Sequence, residues 1–268
     1  MRRVVASVRE RDLEEVYDRL LPLVAGGVHE RERPEGVREL AWVATPETEP
    51  EALRDLLGAR LLRAEGAEVA PGDVVAETGH AWTIGDRLVL RTPDAPAAPP
   101  GLAEVVVERP PGTFGSGQHP TTRACLALLV ELPAEGELAD LGCGTGVLAV
   151  AAARLGFAPV FAIDHEPASV AATIRNAERN EVRVAAAQAD LLAADPPPAR
   201  TIAANVPLAV HQRLAAALPG EVRRLIASGL EPAHAVAAEP AYAAAGLRVA
   251  RRIEDAGWVT LLLERDPA

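Results

Sequence analysis

Aromatic residues and cysteines are both scarce in this sequence. Aromatic side chains make up 3% of the 268 residues, yet alanine is so common that the apolar fraction reaches 49%. A core can therefore form, but the pattern of large apolar residues that separates helices from strands is diluted. The two cysteines, Cys125 and Cys143, lack the spacing of a disulfide framework or a zinc site, so we expect small, reduced core residues and no metal.

The sequence also lacks a secretory signal region and any long apolar span. Both absences predict a soluble, cytoplasmic protein without a membrane partner. The net charge of −11 disfavours direct nucleic-acid binding, because phosphate backbones are bound by basic surfaces. The charge suits a basic protein partner, although mild acidity also serves solubility alone.

The clearest chemical signal lies in residues 139–146, Ala-Asp-Leu-Gly-Cys-Gly-Thr-Gly. An apolar run precedes this stretch and an alanine-rich run follows it, which predicts a strand, a glycine turn and a helix. Such a turn lets the backbone approach a bound group and presents helix N-terminal amides to it. Asp164 ends the next predicted strand, where a carboxylate typically holds the ribose hydroxyls of a nucleoside.

The glycine spacing distinguishes between classes of cofactor. The pattern is Gly-x-Gly-x-Gly, with Val147 where the dinucleotide fingerprint requires its third glycine, so a nicotinamide or flavin dinucleotide is disfavoured. An ordinary tight turn between a strand and a helix remains the alternative for an isolated motif. The longer pattern Asp-x-Gly-x-Gly-x-Gly resembles the S-adenosylmethionine loop of class I methyltransferases.

The patterning predicts two domains joined by a proline-rich linker. In residues 1–92, strands at 2–8, 37–44 and 81–91 alternate with helices at 12–24 and 49–62, which predicts a small α+β domain of the ferredoxin-like type. Residues 93–103 contain most of the Thr-Pro-Asp-Ala-Pro-Ala-Ala-Pro-Pro-Gly stretch and are predicted to be a stiff linker. Residues 104–268 form the second predicted domain.

The second domain is predicted to be α/β. Strands at 138–141, 160–164, 182–186, 201–204 and 224–227 alternate with helices, and strands at 247–253 and 258–263 form a hairpin because only four residues separate them. The result is a seven-stranded, Rossmann-like sheet whose last strand is antiparallel, as in class I methyltransferases. Ligands should bind beyond the carboxyl ends of the parallel strands, where Gly142, Asp164, Asp190 and Asn205 fall. His211 and His234 lie on predicted helices and are expected at the surface.

Five motifs of this domain resemble those of the methyltransferases of ribosomal protein L-eleven, the PrmA family. The most specific is Phe-Gly-Ser-Gly-Gln-His-Pro-Thr-Thr at residues 114–122, similar to the family's Phe-Gly-Thr-Gly-x-His-Pro-Thr-Thr. By residues alone this loop could bind an anion at a helix N-terminus or could be an ordinary capped loop. The other motifs are the glycine loop, Asp-His-Glu-Pro at 164–167 with Asn176, Ala177 and Asn180, Ala204-Asn205, and Ser228-Gly229-Leu230.

The resemblance implies a protein methyltransferase that uses S-adenosylmethionine to modify amine nitrogens of ribosomal protein L-eleven, on lysine side chains and on the N-terminal α-amine. Asn205 and His119 are the candidate catalytic residues. Asn205 would accept an amine proton and aim the nitrogen lone pair, and His119 would be a base or, more simply, a hydrogen-bonding loop residue. The implied cofactor-binding residues are Phe114, Gly115, Gly117, Thr121, Thr122, Asp140, Gly142, Gly144, Gly146, Asp164, Asp190 and Asn205.

The N-terminal domain has the place and size of the family's substrate-recognition domain, and we expect a monomer. Pro207 departs from the family's leucine beside the reacting nitrogen, whereas Ser116 keeps the hydroxyl of the family's threonine. Two other functions stay open. One is a methyltransferase for another protein lysine or a small molecule, and the other is a catalytically silent module that binds S-adenosylmethionine.

Overall fold

The computed structural model describes residues 2–20, 23–24, 28–68, 81–110, 113–115, 117 and 119–266. The chain divides into two compact units. The N-terminal unit comprises Met1–Thr78 with Pro110–Gly112, and the second unit comprises Gly79–Arg109 with Thr113–Ala268. No helix in the described part of the chain has the length and hydropathy needed to cross a bilayer.

The N-terminal unit is an antiparallel sheet with the strand order β2-β3-β1-β4. Alternate residues of the first strand, Val4, Ala6 and Val8, are fully buried and pack with apolar side chains of both helices. This alternation is the period-2 pattern of a strand with one face on a core. The elements are β1 (Arg2–Arg9), α1 (Leu13–Leu20), β2 (His29–Arg33), β3 (Val37–Val43), α2 (Pro50–Leu57) and β4 (Leu61–Glu68).

The predicted strand at 81–91 belongs to the other unit, which corrects the predicted domain boundary. It forms a hairpin of β5 (Ala81–Ile84) and β6 (Leu88–Arg91), and β6 pairs in parallel with β7 (Ala103–Val106). The proline-rich segment at 93–103 therefore connects two strands of one sheet. The side chain of Arg91 anchors the start of the segment by donating to the backbone carbonyls of Thr92, Pro93 and Ala95 and to the carboxylate of Glu104.

The core of the second unit is a seven-stranded sheet with the order β10-β9-β8-β11-β12-β14-β13. β14 alone runs opposite to the other six strands, as predicted, and β10 begins three residues beyond its predicted start. The strands are β8 (Leu138–Leu141), β9 (Val160–Asp164), β10 (Ala185–Gln188), β11 (Thr201–Asn205), β12 (Arg224–Leu230), β13 (Arg248–Asp255) and β14 (Trp258–Glu264). The helices are α3 (Pro120–Glu131), α4 (Val147–Leu155), α5 (Pro167–Arg179), α6 (Leu208–Ala216) and α7 (Pro232–Ala244).

The strand order fixes where a ligand can bind. The chain leaves β8 toward β9 on one side and later returns to β11 on the other, so the order reverses between β8 and β11. Parallel sheets bind ligands in the crevice at such a switch point, beyond the carboxyl ends of the strands. The central strands of the sheet are buried on both faces by two apolar clusters. Cys125 and Cys143 are buried free thiols, as predicted, and burial raises the pKa of Cys125 to about 12.

Candidate functional site

The glycine loop follows β8 at the switch point. Gly142, Gly144 and Gly146 have φ angles of +75°, +55° and +76°, a region that residues with a Cβ rarely adopt. Close protein packing adds a second requirement for glycine. A Cβ at Gly142 would overlap the side chain of Val206, and one at Gly144 would overlap the carbonyl oxygen of Phe114. The loop is therefore held in contact with the segments that contain Phe114 and Asn205.

Asp140 lies beneath this loop. It is 1% exposed, and its Oδ2 accepts a hydrogen bond of 3.0 Å from the backbone N–H of Ala149 in the first turn of α4. Burial, and to a smaller extent the charge of Asp164, raise the pKa of the Asp140 carboxyl to about 7, against the lowering effect of that hydrogen bond. The structure thus places Asp140 where it supports the loop and the start of α4 from inside the fold.

Asp164 lies at the end of β9, as predicted, and it also binds the glycine loop. Its Oδ2 accepts from the N–H of Gly144 at 2.9 Å, and its Oδ1 accepts from the N–H of Glu166 at 3.0 Å. A carboxylate offers about four acceptor positions, so these two bonds leave room for further donors. Asp190, after β10, is exposed, and its Oδ1 accepts from the N–H of Leu192.

The Phe114-Gly115 segment is fastened to the glycine loop through one residue. The backbone N–H of Thr145 donates to the carbonyl of Phe114 at 2.8 Å, and the Thr145 hydroxyl donates to the carbonyl of Gly115 at 2.6 Å. Thr145 is fully buried. Thr145 was not among the predicted site residues, although its place between two loop glycines was the available signal. Gly117 packs on Leu90, whose side chain a Cβ there would overlap.

A chain of hydrogen bonds joins His119, Thr121 and Asn205. His119 is the N-cap of α3, and its Nδ1 accepts from the backbone N–H of Thr121 at 3.3 Å. Because Nδ1 is an acceptor, the Thr121 hydroxyl, 2.7 Å away, must donate to it. The same hydroxyl oxygen accepts from Nδ2 of Asn205 at 3.1 Å. The network therefore fixes the Asn205 amide, and its Oδ1 stays outside this chain as an acceptor.

The hydrogen bonds to Nδ1 also define the tautomer of His119. With Nδ1 accepting, the neutral ring carries its proton on Nε2, so His119 serves here as a helix cap. The ring makes edge contacts with Phe114 and Trp258 at centroid distances of 5.2 and 5.5 Å. Trp258 was not predicted as a site residue. Trp258 is the first residue of β14. The available signal in the sequence was its rarity, because it is one of three tryptophans in a chain poor in aromatic residues.

Thr122 follows Thr121 on α3 but is 1% exposed. Its hydroxyl has no hydrogen-bond partner among the described residues. An unsatisfied buried polar group costs about 1–3 kcal/mol, so a partner supplied from outside the chain would be favourable here. Thr121 is also buried, but its hydroxyl makes hydrogen bonds with both His119 and Asn205.

His211 is buried, which corrects the prediction that it lies at the surface. Its Nε2 donates to the carbonyl of Ser228 at 2.8 Å, and its Nδ1 accepts from the hydroxyl of Tyr242 at 2.7 Å. Burial lowers the pKa of His211 to about 4, so the ring is neutral at pH 7. The Ser228 carbonyl also accepts from the N–H of Val206, and therefore His211 stabilises the strand end next to Asn205. His234 is exposed on α7, as predicted.

These contacts bring most of the predicted site residues together at one edge of the sheet. Asp164, the glycine loop, Phe114, Gly115, Thr121 and Asn205 are connected by hydrogen bonds or direct packing, whereas Asp140 and Thr122 are buried beside this set of contacts. Within the described ranges, no group of three His, Cys, Asp or Glu side chains is placed to hold a metal ion.

This chain is similar to proteins described as ribosomal protein L11 methyltransferases. A family model described as "Ribosomal protein L11 methyltransferase (PrmA)" matches residues 76–266. The ribosomal protein L11 methyltransferase of Bordetella parapertussis is 40% identical over 179 residues, which are 63% of this chain and 57% of that protein. The protein of the same name from Pelotomaculum thermopropionicum is 38% identical over 220 residues, 76% of this chain and 70% of that protein.

A solved structure shows the same fold. The crystal structure of ribosomal protein L11 methylase from Lactobacillus delbrueckii subsp. bulgaricus covers 70% of this chain and 100% of its own, with a TM-score of 0.60 and 24% sequence identity. The chain spans 57% of the length of the Bordetella relative, and the family model begins near the division between the two units. The matched region contains every site residue described above, and the chain therefore belongs to the ribosomal protein L11 methyltransferase (PrmA) family.

Proposed function

We propose that this protein transfers methyl groups from S-adenosylmethionine to amine nitrogens of ribosomal protein L11, on lysine side chains and on the N-terminal α-amine. The observation that supports this best is the Thr121–Asn205 hydrogen bond. It fixes an amide acceptor at the switch point, in the same packed cluster as a glycine loop and Asp164. The family of the chain and the names of its relatives support the ribosomal substrate.

The residues present fit S-adenosylmethionine. Asp164 has acceptor positions left for two ribose hydroxyls, the exposed Asp190 carboxylate can accept from an adenine amino group, and Thr122 has an unpaired buried hydroxyl. When bound, S-adenosylmethionine supplies an electrophilic methyl group on a positively charged sulfur. The seven-stranded sheet with one antiparallel strand supports assignment to the Rossmann-like class I methyltransferases.

The role of Asn205 is to orient the reacting amine. A lysine amine with an ordinary pKa of about 10.4 must lose its proton, which costs about 4–5 kcal/mol at pH 7. Oδ1 of Asn205 accepts one N–H of the neutral amine and so directs its lone pair, while Thr121 holds the amide in place. Burying the amine lowers the cost of neutralising it. His119 contributes by capping α3 and keeping Thr121 in position, not as a base.

We further propose that the N-terminal unit recognises the protein substrate. Its βαββαβ element order and antiparallel sheet are those of a ferredoxin-like domain. All residues predicted to take part in methyl transfer lie in the second unit. We therefore assign binding of the protein substrate to the N-terminal unit. We also propose that the protein acts in the cytoplasm as a monomer and without nucleic acid as a direct partner.

The test is methylation of purified ribosomal protein L11 with labelled S-adenosylmethionine, followed by mass spectrometry of the modified peptides. This chain contains no lysine, because its 27 basic residues other than histidine are all arginine. Every labelled lysine must therefore belong to the added substrate. A second arm uses L11 with its α-amine acetylated, which separates lysine methylation from N-terminal methylation.

Label on L11 lysines supports the proposal. Label absent from L11 but present on another protein of a methylation-deficient lysate would identify a different substrate. Binding of S-adenosylmethionine by calorimetry without transfer to either would identify a silent binding module. An Asn205→Ala variant serves as the control in each arm, because it should retain binding and lose transfer.

A further inference from the structure

Two asparagines on α5 bind the backbone of the segment that follows β7. Asn180 accepts from the N–H of Val106 and donates to its carbonyl, both at 2.7 Å. One turn earlier, Asn176 accepts from the N–H of Glu108 at 3.0 Å and donates to its carbonyl at 2.9 Å. Both asparagines are 1% exposed. Residues four apart lie on one face of a helix, so the pair holds alternate residues of an extended segment.

Only Asn176 extends this contact to the glycine loop. Its Nδ2 also donates to the carbonyl of Thr145 at 2.9 Å, so both amide hydrogens and Oδ1 are used. Thr145 in turn binds the carbonyls of Phe114 and Gly115. Thr173, one turn before Asn176, donates its hydroxyl to the carbonyl of Gly144. One face of α5 therefore binds two backbone carbonyls of the glycine loop.

We propose that Asn176 is a positioning residue for the cofactor, holding the glycine loop in the conformation that binds S-adenosylmethionine. The proposal rests on the proposed function, because it names S-adenosylmethionine as the ligand. The loop needs support, since its three glycines have positive φ and could adopt many other conformations. When fewer molecules have the competent loop, the apparent dissociation constant rises by the inverse of that fraction.

Asn180 supplies a matched control within the chain. It is as buried as Asn176 and makes the same pair of bonds to the same segment, but the glycine loop is not among its hydrogen-bond partners in the described residues. Asn176→Leu and Asn180→Leu remove similar bonds and conserve volume. Both should lower the free energy of unfolding by similar amounts, while only Asn176→Leu should weaken cofactor binding.

The experiment measures the dissociation constant of S-adenosylmethionine by calorimetry for the full chain and both variants. We expect an increase of about tenfold for Asn176→Leu, from the loss of a buried hydrogen bond, and less than about twofold for Asn180→Leu. The rate constant at saturating cofactor should change little in both. Amide hydrogen exchange gives a second readout, because the N–H of Thr145 should exchange faster only in Asn176→Leu.

Should Asn176→Leu not fold, Asn176→Asp tests the same link. It keeps the acceptor for the N–H of Glu108 but loses both donated bonds, to the carbonyls of Glu108 and Thr145. A folded Asn176 variant that binds S-adenosylmethionine as tightly as the wild type would overturn the inference. If the wild type itself does not bind S-adenosylmethionine, the proposed function fails. In that case the exchange rate of the Thr145 amide still decides whether Asn176 holds the loop.

Discussion

The two units bury different kinds of side chain. The core of the N-terminal unit is apolar, and its buried polar side chains among the described residues are Arg38 and Thr48. The second unit buries carboxylates, amides, hydroxyls and an imidazole near its strand ends, and most of them bind backbone groups of loops. Burying such groups is costly unless they are satisfied, so each satisfied group specifies one loop conformation.

The two kinds of core have different consequences for substitutions in each unit. An apolar sheet-and-helix core tolerates variation in its surface, which is what a recognition module for a protein partner requires. A set of saturated polar contacts instead fixes loops in conformations that glycine alone would leave open. We therefore expect substitutions in the second unit to act on ligand affinity and rate, and changes in the N-terminal unit to act on the choice of substrate.

Removal of residues 1–78 should give the largest effect. Transfer to intact ribosomal protein L11 should fall by more than about a thousandfold, because even a micromolar protein interface supplies about 8 kcal/mol. Affinity for S-adenosylmethionine should stay within a few-fold of the wild type. Steady-state methylation and calorimetry measure the two effects. Wild-type activity of the shortened chain on intact L11 would end the assignment of a recognition role to the N-terminal unit.

Asn205→Ala should lower the rate of methyl transfer by about a hundredfold to a thousandfold, the usual cost of removing one positioned polar group at a reacting centre. Single-turnover transfer at saturating cofactor and substrate isolates this step. Affinity for S-adenosylmethionine should hardly change. A rate within a few-fold of the wild type would rule out amine orientation by Asn205.

Asp164→Ala should weaken binding of S-adenosylmethionine by about tenfold to a hundredfold, since hydrogen bonds to a charged group are worth about 1.5–3 kcal/mol. The variant also leaves the N–H of Gly144 without its acceptor, so the protein should unfold at slightly lower temperature. Calorimetry on the folded variant gives the affinity. Asp190→Ala is the matched control, because its exposed carboxylate should contribute less.

His211→Leu should have the smallest effect on methyl transfer, and its effect should be seen instead in the pH dependence of stability. The folded pKa of His211 is about 4 against an ordinary value of 6.5, so the unfolded chain binds a proton that the folded chain rejects. The free energy of unfolding therefore falls as the pH drops from 6.5 toward 4, by at most about 1.4 kcal/mol per unit. Replacing His211 should remove this component.

Urea unfolding at several pH values measures that slope, and the difference between wild type and variant is the relevant quantity. The raised pKa of Asp140 acts in the opposite direction over part of the same range, but it is common to both proteins. Tyr242→Phe is the control, because it loses a hydrogen bond to His211 but keeps the titrating ring. Equal slopes in wild type and His211→Leu would contradict the assignment.

Local patterns predicted the second unit better than the first. β8, β9 and β11 are short apolar runs bounded by turn residues, and a four-residue connection is enough to define a hairpin. The sequence of β2, His-Glu-Arg-Glu-Arg, has no apolar residue, so this edge strand was missed. The strand at 81–91 was recognised, but strand propensity does not say which sheet a strand joins.

In the site, too, the sequence predicted the chemistry of individual residues but not their burial. Motifs marked Asp164, the glycine loop and Asn205, because their chemistry depends on residue type and spacing. Motifs could not show that Asp140 points into the fold or that His211 is buried, since both depend on the packing of distant elements. An alanine-rich helix such as α6 offers little contrast between its faces, so a histidine on it cannot be placed from sequence.

The asparagine pair on α5 also covers part of a sheet edge. β7 is the outer strand of its three-stranded sheet, and a strand in that position presents unpaired N–H and C=O groups to any passing chain. Asn180 occupies those groups at Val106, the last residue of β7, and Asn176 occupies the same groups at Glu108, two residues beyond the strand. The carboxyl end of this sheet edge is thus covered by side chains instead of another strand. Loss of both asparagines should therefore open a site for edge-to-edge aggregation, independent of any ligand.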